Sequence, residues 1–289
     1  MRWKDLRRSD NVRDVRGAGG FGGGGRMPLG VGRRGGLGGG LGLLVILGLM
    51  FIFGGPDAVM QLLSGGGGAP SSEQGRPLTA EDEVSDFVAR VLGSTEDVWG
   101  ALFAQAGERY QPPVLNVFSG SVQSACGFAS AASGPFYCPR DRDVYLDTSF
   151  FDELARMGGA GDFAAAYVIG HEVGHHVQTL LGTSDQVRAA QQRSGDVGAN
   201  RLQVAMELQA DCFAGVWAYH ANQTVRVLEP GDVEEGLAAA QAIGDDRLQR
   251  NAGRAVTPDS FTHGSSADRQ RWLSTGLRSG GPGACDTFN

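Results

Sequence analysis

The sequence predicts an α+β fold, in which a mainly helical domain with a small sheet is preceded by a transmembrane helix. Three observations support this class. Segments after residue 78 repeat apolar residues at helical spacing, two short β-rich segments lie among them, and an uncharged apolar stretch precedes them all. The 289 residues therefore divide into four parts, 1–36, 37–56, 57–77 and 78–289.

Residues 1–36 form a basic, glycine-rich arm with nine Lys or Arg against three Asp. No charged residue occurs between Arg34 and Asp57, and a helix of about 20 apolar residues can cross a bilayer. We therefore expect residues 37–56 to span the cell membrane once, with the arm in the cytoplasm and the C-terminal domain outside it. A cleaved signal peptide is the alternative, but its charged segment is normally short and no A-x-A site follows the apolar run.

Residues 57–77, which include the stretch SGGGGAPSSEQGRP, are typical of a flexible tether. The whole chain has a net charge of −7 although its first 36 residues are basic, so the remainder is strongly acidic. Because phosphate recognition needs a basic face, we expect no nucleic-acid partner.

The domain at 78–289 is predicted to contain helices separated by a small β region. Apolar spacing and end signals predict helices at about 79–93, 95–106, 150–158, 162–181, 200–221 and 232–243. Two β-rich segments bounded by turn residues predict strands within 112–120 and 142–147.

Four cysteines suit an exported domain with two disulfides, because their number is even and no C-x-x-C pair is present. Three pairings are possible. Cys126 with Cys138 is the economical choice, since both flank one Gly- and Ser-rich loop, which leaves Cys212 for Cys285. Four reduced, buried thiols are the alternative if the topology is inverted.

The stretch GHEVGHHVQ carries the strongest chemical signal. On a helix over 162–181, His171 and His175 are four residues apart, so both imidazoles project from one face within reach of a single ion. Glu172 can reach a water bound to that ion, which is the H-E-x-x-H arrangement of zinc peptidases. His176 lies about 100° further round the helix and is a poor third ligand. A polar patch on a solvated helix is the alternative.

Two glycines, Gly170 and Gly174, lie inside this predicted helix, where each costs about 1 kcal/mol relative to alanine. A glycine beside a ligand lets another backbone approach closely. We therefore expect a close backbone approach at the metal.

The third ligand is expected on the next long helix. The extended motif H-E-x-x-H-x-x-G-x-x-H fails, because Gln178 and Leu181 occupy its last two defined positions. Glu207 and Asp211 are four residues apart on an otherwise apolar helix, where buried carboxylates need a partner of opposite charge. Glu207 is the expected zinc ligand, and Asp211 would hold a histidine N–H. A solvated helix face with a surface pair is the alternative.

The stretches HEVGHH and ELQADCFAG resemble the gluzincin metallopeptidases. The whole chain is similar to a bacterial family of neutral zinc metallopeptidases with a single N-terminal membrane anchor. The similarity also covers SDNVRDVRG, CGFASAASGPFYCPRDRDVYLD, AIGDDRLQ and FTHGSSADRQRWLSTG. This resemblance implies a zincin-like metallopeptidase domain at 78–289, Zn²⁺ as cofactor and peptidase activity.

His263 and Arg269 have a spacing similar to a C-terminal motif of membrane-linked gluzincins, in which such groups help to bind substrate or the oxyanion. The alternative is a turn histidine that leads into a capped helix with Arg269 on its surface. Both interpretations remain open at this point.

The predicted function is that of a membrane-anchored zinc peptidase, which hydrolyses peptide bonds through a zinc-activated water with Glu172 as general base. Its partners would be a peptide or protein substrate, which could pair with an exposed strand at 144–147, and the membrane. The alternative is a membrane-tethered, zinc-containing binding module without catalytic activity.

Overall fold

The computed structural model describes residues 1–16, 76–77 and 82–289. The helices in this part of the chain are α1 (Glu83–Gln105), α2 (Ser149–Arg156), α3 (Asp162–Leu180), α4 (Thr183–Gln191), α5 (Asp196–Val225), α6 (Asp232–Ala242), α7 (Asp245–Asn251) and α8 (Ser266–Ser279). The strands are β1 (Val12–Asp14), β2 (Arg76–Pro77), β3 (Leu115–Phe118), β4 (Ser121–Ser124), β5 (Gly127–Ser130), β6 (Phe136–Cys138) and β7 (Asp143–Asp147). The described residues are thus mainly helical with a small sheet.

Five strands form one sheet in the order β2-β1-β3-β7-β6. β1, β3 and β7 run parallel, while β2 and β6 pair antiparallel at the two edges. All four residues of β3 are buried, which fits a central strand covered on both faces. β4 and β5 form a separate antiparallel hairpin.

Helix α3 lies at the centre of the domain and packs against α1, α5, α6 and the strands β6 and β7. Fifteen of its 19 residues are buried. A single apolar cluster joins α1, the sheet, α3 and α5, with Trp99 and Trp217 among its largest buried side chains. The side chains that α3 carries are therefore held in a packed environment.

Helix α1 is continuous, although the sequence predicted two helices that meet near Gly93. The reason is the N-terminal segment, which crosses α1 there. A Cβ at Gly93 would overlap the carbonyl oxygen of Arg7, and the N–H of Ser9 donates to the carbonyl oxygen of Ala89 at 2.9 Å. The glycine therefore serves a close approach within a helix and does not end one.

The N-terminal residues belong to the domain. β1 pairs with β3, and residues 1–16 fall in the same compact unit as residues 82–289. The amino group of Met1 lies 2.7 Å from Asp162 at the start of α3 and 3.2 Å from Asp232 at the start of α6.

This arrangement corrects the predicted transmembrane helix and the cell-membrane location derived from it. Among the described residues, no helix combines the length and the apolar character that a membrane crossing requires. The predicted span at 37–56 and most of the tether at 57–77 lie outside the described residues. A single crossing would place residues 1–36 and the domain on opposite sides of a membrane, whereas Val12–Asp14 and Arg76–Pro77 pair in one sheet.

Both expected disulfides are confirmed. Cys126–Cys138 joins the end of the β4–β5 hairpin to the last residue of β6. Cys212–Cys285 joins the middle of α5 to the C-terminal tail. Each bond thus fastens a segment that has little apolar core of its own to a buried element.

Candidate metal centre

His171 and His175 on α3 converge with Glu207 on α5. The Nε2 atom of His171 lies 3.2 Å from Oε2 of Glu207, and the Nε2 atom of His175 lies 3.6 Å from the same oxygen. One ligand atom from each of the three residues lies within 4.8 Å of the others. The structure therefore brings together the three residues that were predicted as ligands.

These distances fit a tetrahedral zinc site. Nitrogen and oxygen ligands about 2.0–2.2 Å from zinc, at tetrahedral angles, stand roughly 3.4 Å apart. The two measured nitrogen–oxygen distances lie close to this value. Two imidazoles and one carboxylate are also the donor set of known catalytic zinc sites.

The two glycines of α3 explain how α5 comes near enough. A Cβ at Gly174 would lie 2.9 Å from the carbonyl oxygen of Ala210, and one at Gly170 would lie 2.9 Å from the ring of Trp217. The close approach expected at this motif is therefore present, and the approaching element is α5. It brings Glu207 and Asp211 to the histidines.

Asp211 holds His171 from behind. The Nδ1–H of His171 donates to Oδ1 of Asp211 at 2.8 Å, so Nε2 faces Glu207. The carboxylate of Asp211 is completely buried and also accepts the hydroxyl of Tyr167 at 2.5 Å. Such a carboxylate fixes the tautomer and orientation of a ligating imidazole.

Arg269 lies behind Asp211, buried in this network. Its Nε and Nη2 atoms donate to the two carboxylate oxygens of Asp211, each at 2.9 Å, and Nη2 also donates to the hydroxyl of Tyr167 at 3.2 Å. Its buried position does not match the surface arginine of the alternative interpretation. Its bonds to Asp211 and Tyr167 also do not match an arginine that contacts only substrate or the oxyanion. The bidentate pair neutralises a carboxylate that would otherwise be buried without a counter-charge.

Two glutamines complete the set of contacts to the ligands. Gln178 accepts the Nδ1–H of His175 at 2.9 Å through Oε1, and its amide donates to the carbonyl oxygen of Met206 on α5 at 2.7 Å. Gln203 donates to Oε1 of Glu207 at 2.9 Å. Sequence analysis missed both, although Gln178 is three residues after His175 and Gln203 four before Glu207, spacings that place side chains together on a helix.

The electrostatics of the cluster favour a positive charge. Burial lowers the pKa of His171, but the carboxylates of Asp211 and Glu207 outweigh it and raise that pKa to about 10. Burial raises the pKa of Glu207, whereas His175 and His171 lower it further, so its net pKa is well below the usual range.

Glu172 is buried beside the cluster and differs from the other acidic residues there. Burial raises the pKa of its carboxyl group. Within residues 1–16, 76–77 and 82–289, its carboxylate takes part in no hydrogen bond, unlike those of Glu207 and Asp211. It lines the same cavity as both histidines.

That cavity has a volume of about 570 Å³. Its walls come from the segment 132–139, which includes β6, and from α2 to α5, α7 and the loop before α8. Its lining includes apolar side chains such as Phe150, Val168 and Leu248, and polar ones such as Thr179, Arg188 and Gln203. The residues His171, His175 and Glu207 line the same cavity.

His263 also lines the cavity, from the loop before α8, and its side chain is half exposed. Its Nδ1–H donates to Oδ1 of Asp245 at 3.2 Å, while the other oxygen of Asp245 accepts the backbone N–H groups of Thr262, His263 and Gly264. Burial raises the pKa of Asp245, but the contacts with His263 outweigh it and lower it. Sequence analysis missed Asp245, since it is 18 residues away in the chain.

These features define the class: an α+β domain with a buried His–His–Glu site of the H-E-x-x-H type. A family model described as "Putative neutral zinc metallopeptidase" matches residues 1–288, and the chain belongs to this family. The uncharacterized protein YpfJ of Escherichia coli K12 is 47% identical over 296 residues, which cover 100% of this chain and 99% of that protein.

Mycobacterial relatives are similar over a shorter region. The uncharacterized proteins Rv2575 of Mycobacterium tuberculosis and Mb2605 of Mycobacterium bovis are both 42% identical over 235 residues, which cover 76% of this chain and 77% of each relative. No solved structure matches the chain closely enough to indicate a relationship.

Proposed function

We propose that this protein is a zinc-dependent peptidase that hydrolyses peptide bonds, with His171, His175 and Glu207 as the zinc ligands. The observation that carries the proposal is the position of Glu172. It is a buried carboxylate without a hydrogen-bonding partner among the described residues, and it faces the same cavity as the three ligands. A structural zinc site has four protein ligands and needs no such group.

Each group has a defined task in this proposal. A bound zinc ion supplies Lewis acidity towards the scissile carbonyl and makes water more acidic. Glu172 accepts the proton of the attacking water and passes it to the leaving amine. The hydrogen bond with Asp245 raises the pKa of His263, so the protonated ring donates from Nδ1 to Asp245 and from Nε2 to the carbonyl oxygen as negative charge develops on it. Asp211 and Arg269 keep His171 in the ligating orientation.

The substrate pairs in extended form with β6, the edge strand beside the cavity. β7, suggested by the sequence, is internal, because it pairs with both β3 and β6. The N–H of Val144 donates to the carbonyl oxygen of Val114, so the main-chain polar groups of Val144 point towards β3. Those of its neighbours Asp143 and Tyr145 point towards β6. Tyr137, which is opposite Val144, therefore directs its main-chain N–H and C=O away from β7.

The test is an assay of metal content and of cleavage on the same preparation. Wild-type protein should bind one zinc and cleave an unfolded protein substrate; a chelator should abolish cleavage and added zinc should restore it. Glu172→Gln should keep the zinc and lose roughly 10²- to 10⁴-fold in rate, because only the base is removed. His263→Ala should keep the zinc and lose about 10²-fold.

Zinc-loaded wild type that cleaves nothing in a broad peptide library would instead support a zinc-containing binding module. Cleavage by Glu172→Gln at the wild-type rate would show that the proton is carried by another group. An unchanged rate in His263→Ala would leave His263 a loop residue held by Asp245.

A further inference from the structure

The second histidine of the pair, His176, has no place in the proposed chemistry but is among the most buried polar residues. Only 1% of its surface is exposed. Its ring lies between the rings of Tyr110 and Tyr137, with centroids 5.8 Å and 5.5 Å away in edge-to-face contact. It points away from the three ligands and towards the sheet.

The hydrogen bonds of His176 determine its tautomer. Nε2 lies 2.6 Å from the carbonyl oxygen of Gln111, which can only accept, so Nε2 carries the hydrogen. Nδ1 lies 3.2 Å from the hydroxyl of Tyr137. With the hydrogen on Nε2, Nδ1 of the neutral ring offers only a lone pair, so it accepts the hydrogen of Tyr137.

One of the two partners of His176 borders the cavity. Tyr137 is the middle residue of β6 and lines the cavity. Gln111 precedes β3, and its side-chain oxygen accepts from Arg142, in the turn between β6 and β7, at 3.3 Å. One imidazole thus ties α3 to β6 directly and to the β6–β7 turn through Gln111.

Because His176 directly follows His175 in the sequence, its hydrogen bonds also fix the position of β6 relative to the metal cluster. His176 is adjacent to His175 on a buried, regular helix, so any shift of β6 relative to the ligands must break its bonds. β6 is an edge strand of three residues, held on its other side by β7 and by Cys126–Cys138. Without His176, β6 loses the hydrogen bond of the Tyr137 hydroxyl to this ring, and the carbonyl oxygen of Gln111 loses its donor.

We propose that His176 is a positioning residue. It holds the edge of β6 in the position at which an extended peptide paired with this strand reaches the metal centre. The proposal rests on the proposed function, because it assumes that the peptide pairs with Tyr137. It assigns separate tasks to the adjacent histidines: His175 binds the metal, and His176 fixes the strand that binds the substrate.

The experiment compares three variants with wild type. His176→Phe keeps the ring contacts and removes both hydrogen bonds, His176→Asn keeps an acceptor near Nδ1, and Tyr137→Phe removes only the hydroxyl. Zinc content, kcat and KM are measured with fluorogenic octapeptides. Dissociation constants for the same peptides are measured in the Glu172→Gln background.

His176→Phe should raise KM and the dissociation constant about tenfold, with zinc content and kcat within a factor of about three. A tenfold change corresponds to about 1.4 kcal/mol, which is within the range of a buried hydrogen bond. Tyr137→Phe should shift KM in the same direction and add little to His176→Phe. His176→Asn should recover part of the loss. Tyr137→Phe keeps the test informative if His176→Phe does not fold.

His220 on α5 provides a matched control. Its Nε2 donates to the carbonyl oxygen of Gly280 at 2.7 Å, and it is not among the residues that line the cavity. His220→Phe should lower stability and leave KM unchanged. Unchanged KM in both His176→Phe and Tyr137→Phe, or loss of zinc in His176→Phe, would overturn the positioning role.

The result for wild type separates this proposal from the proposed function. Peptide binding without cleavage would refute the peptidase and leave the positioning role measurable through the dissociation constants. Absence of both cleavage and binding would overturn both proposals.

Discussion

Two regions of the molecule could be mistaken for the same kind of site. His171, His175 and Glu207 form one cluster, and Asp162, Asp232 and Glu235 form another, each with three potential ligand atoms within 4.8 Å. Both include residues of α3, since His171 and His175 lie in its middle and Asp162 is its first residue. On proximity alone, each could hold a metal ion.

Their neighbours separate them. The acidic cluster is in contact with a cation of the chain itself, the amino group of Met1, which lies 2.7 Å from Asp162 and 3.2 Å from Asp232. In the histidine cluster Arg269 is paired with Asp211, and Glu207 lies against the imidazoles of His171 and His175, which bind a metal ion in their neutral form. A group of ligand atoms therefore indicates a metal site only where the fold does not already supply a permanent cation to the same carboxylates.

The strongest test of this comparison removes one carboxylate from each cluster. Glu207→Ala should abolish stoichiometric zinc binding, because two imidazoles alone do not complete a site. Asp232→Ala should bind zinc as wild type does. Metal analysis after dialysis measures both. Zinc retained by Glu207→Ala and lost by Asp232→Ala would show that the acidic cluster is the metal site.

The histidine cluster could be predicted from the sequence because its rules are local. The spacing of His171 and His175 fixes one helix face, and Glu207 and Asp211 are carboxylates in an apolar stretch. The link between the two helices is tertiary, yet a buried carboxylate needs a partner and the histidines are the nearest candidates by chemistry.

The acidic cluster could not be predicted in the same way. Its cation comes from the amino group of Met1, 161 residues before Asp162 in the chain. Gly161 takes the N-cap position of α3, and the carboxylate of Asp162 contacts this amino group. The same long-range contact joins residues 1–16 to the compact unit that holds residues 82–289.

The edge strand shows a further limit. The sequence indicated two strands, yet seven are present among the described residues. β6 has only three residues, and β1 lies in a segment dominated by charge. Such strands form because neighbouring strands offer backbone hydrogen-bonding partners. Their sequences show no alternating apolar pattern from which a strand could be predicted.

A second test concerns what lies behind the histidine cluster. Asp211→Asn should weaken zinc binding by about 10- to 100-fold and leave the stoichiometry at saturation unchanged, because the amide can no longer act as a charged acceptor for His171. The variant also leaves Arg269 buried without its counter-charge, so thermal stability should fall. Competition with a chromophoric chelator measures the affinity. Affinity equal to wild type would show that Tyr167 or Arg269 alone fixes the imidazole.

The smallest expected effect concerns the acidic cluster, and it appears as a dependence of stability on pH. Burial lowers the pKa of the Met1 amino group, but hydrogen bonds with Asp162 and Asp232 outweigh it and raise that pKa above its ordinary value of 8.0. A group whose pKa is higher in the folded state makes its full contribution to stability below its unfolded-state pKa, here about 8. That contribution is lost as the pH rises through the folded-state pKa. Asp232→Asn should therefore lower the free energy of unfolding by about 1 kcal/mol near pH 7.

The difference between wild type and Asp232→Asn should then shrink as the pH rises above about 8, since other alkaline groups titrate alike in both proteins. Urea unfolding at each pH measures it, on chains with a free α-amino group. Asp185→Asn is the control. Asp185 is exposed and lies 3.9 Å from Arg188, and such a surface ion pair contributes little to stability. A difference that stays constant with pH would show that Asp232 stabilises the start of α6 through its own helix, where it accepts the N–H of Glu229, and not through Met1.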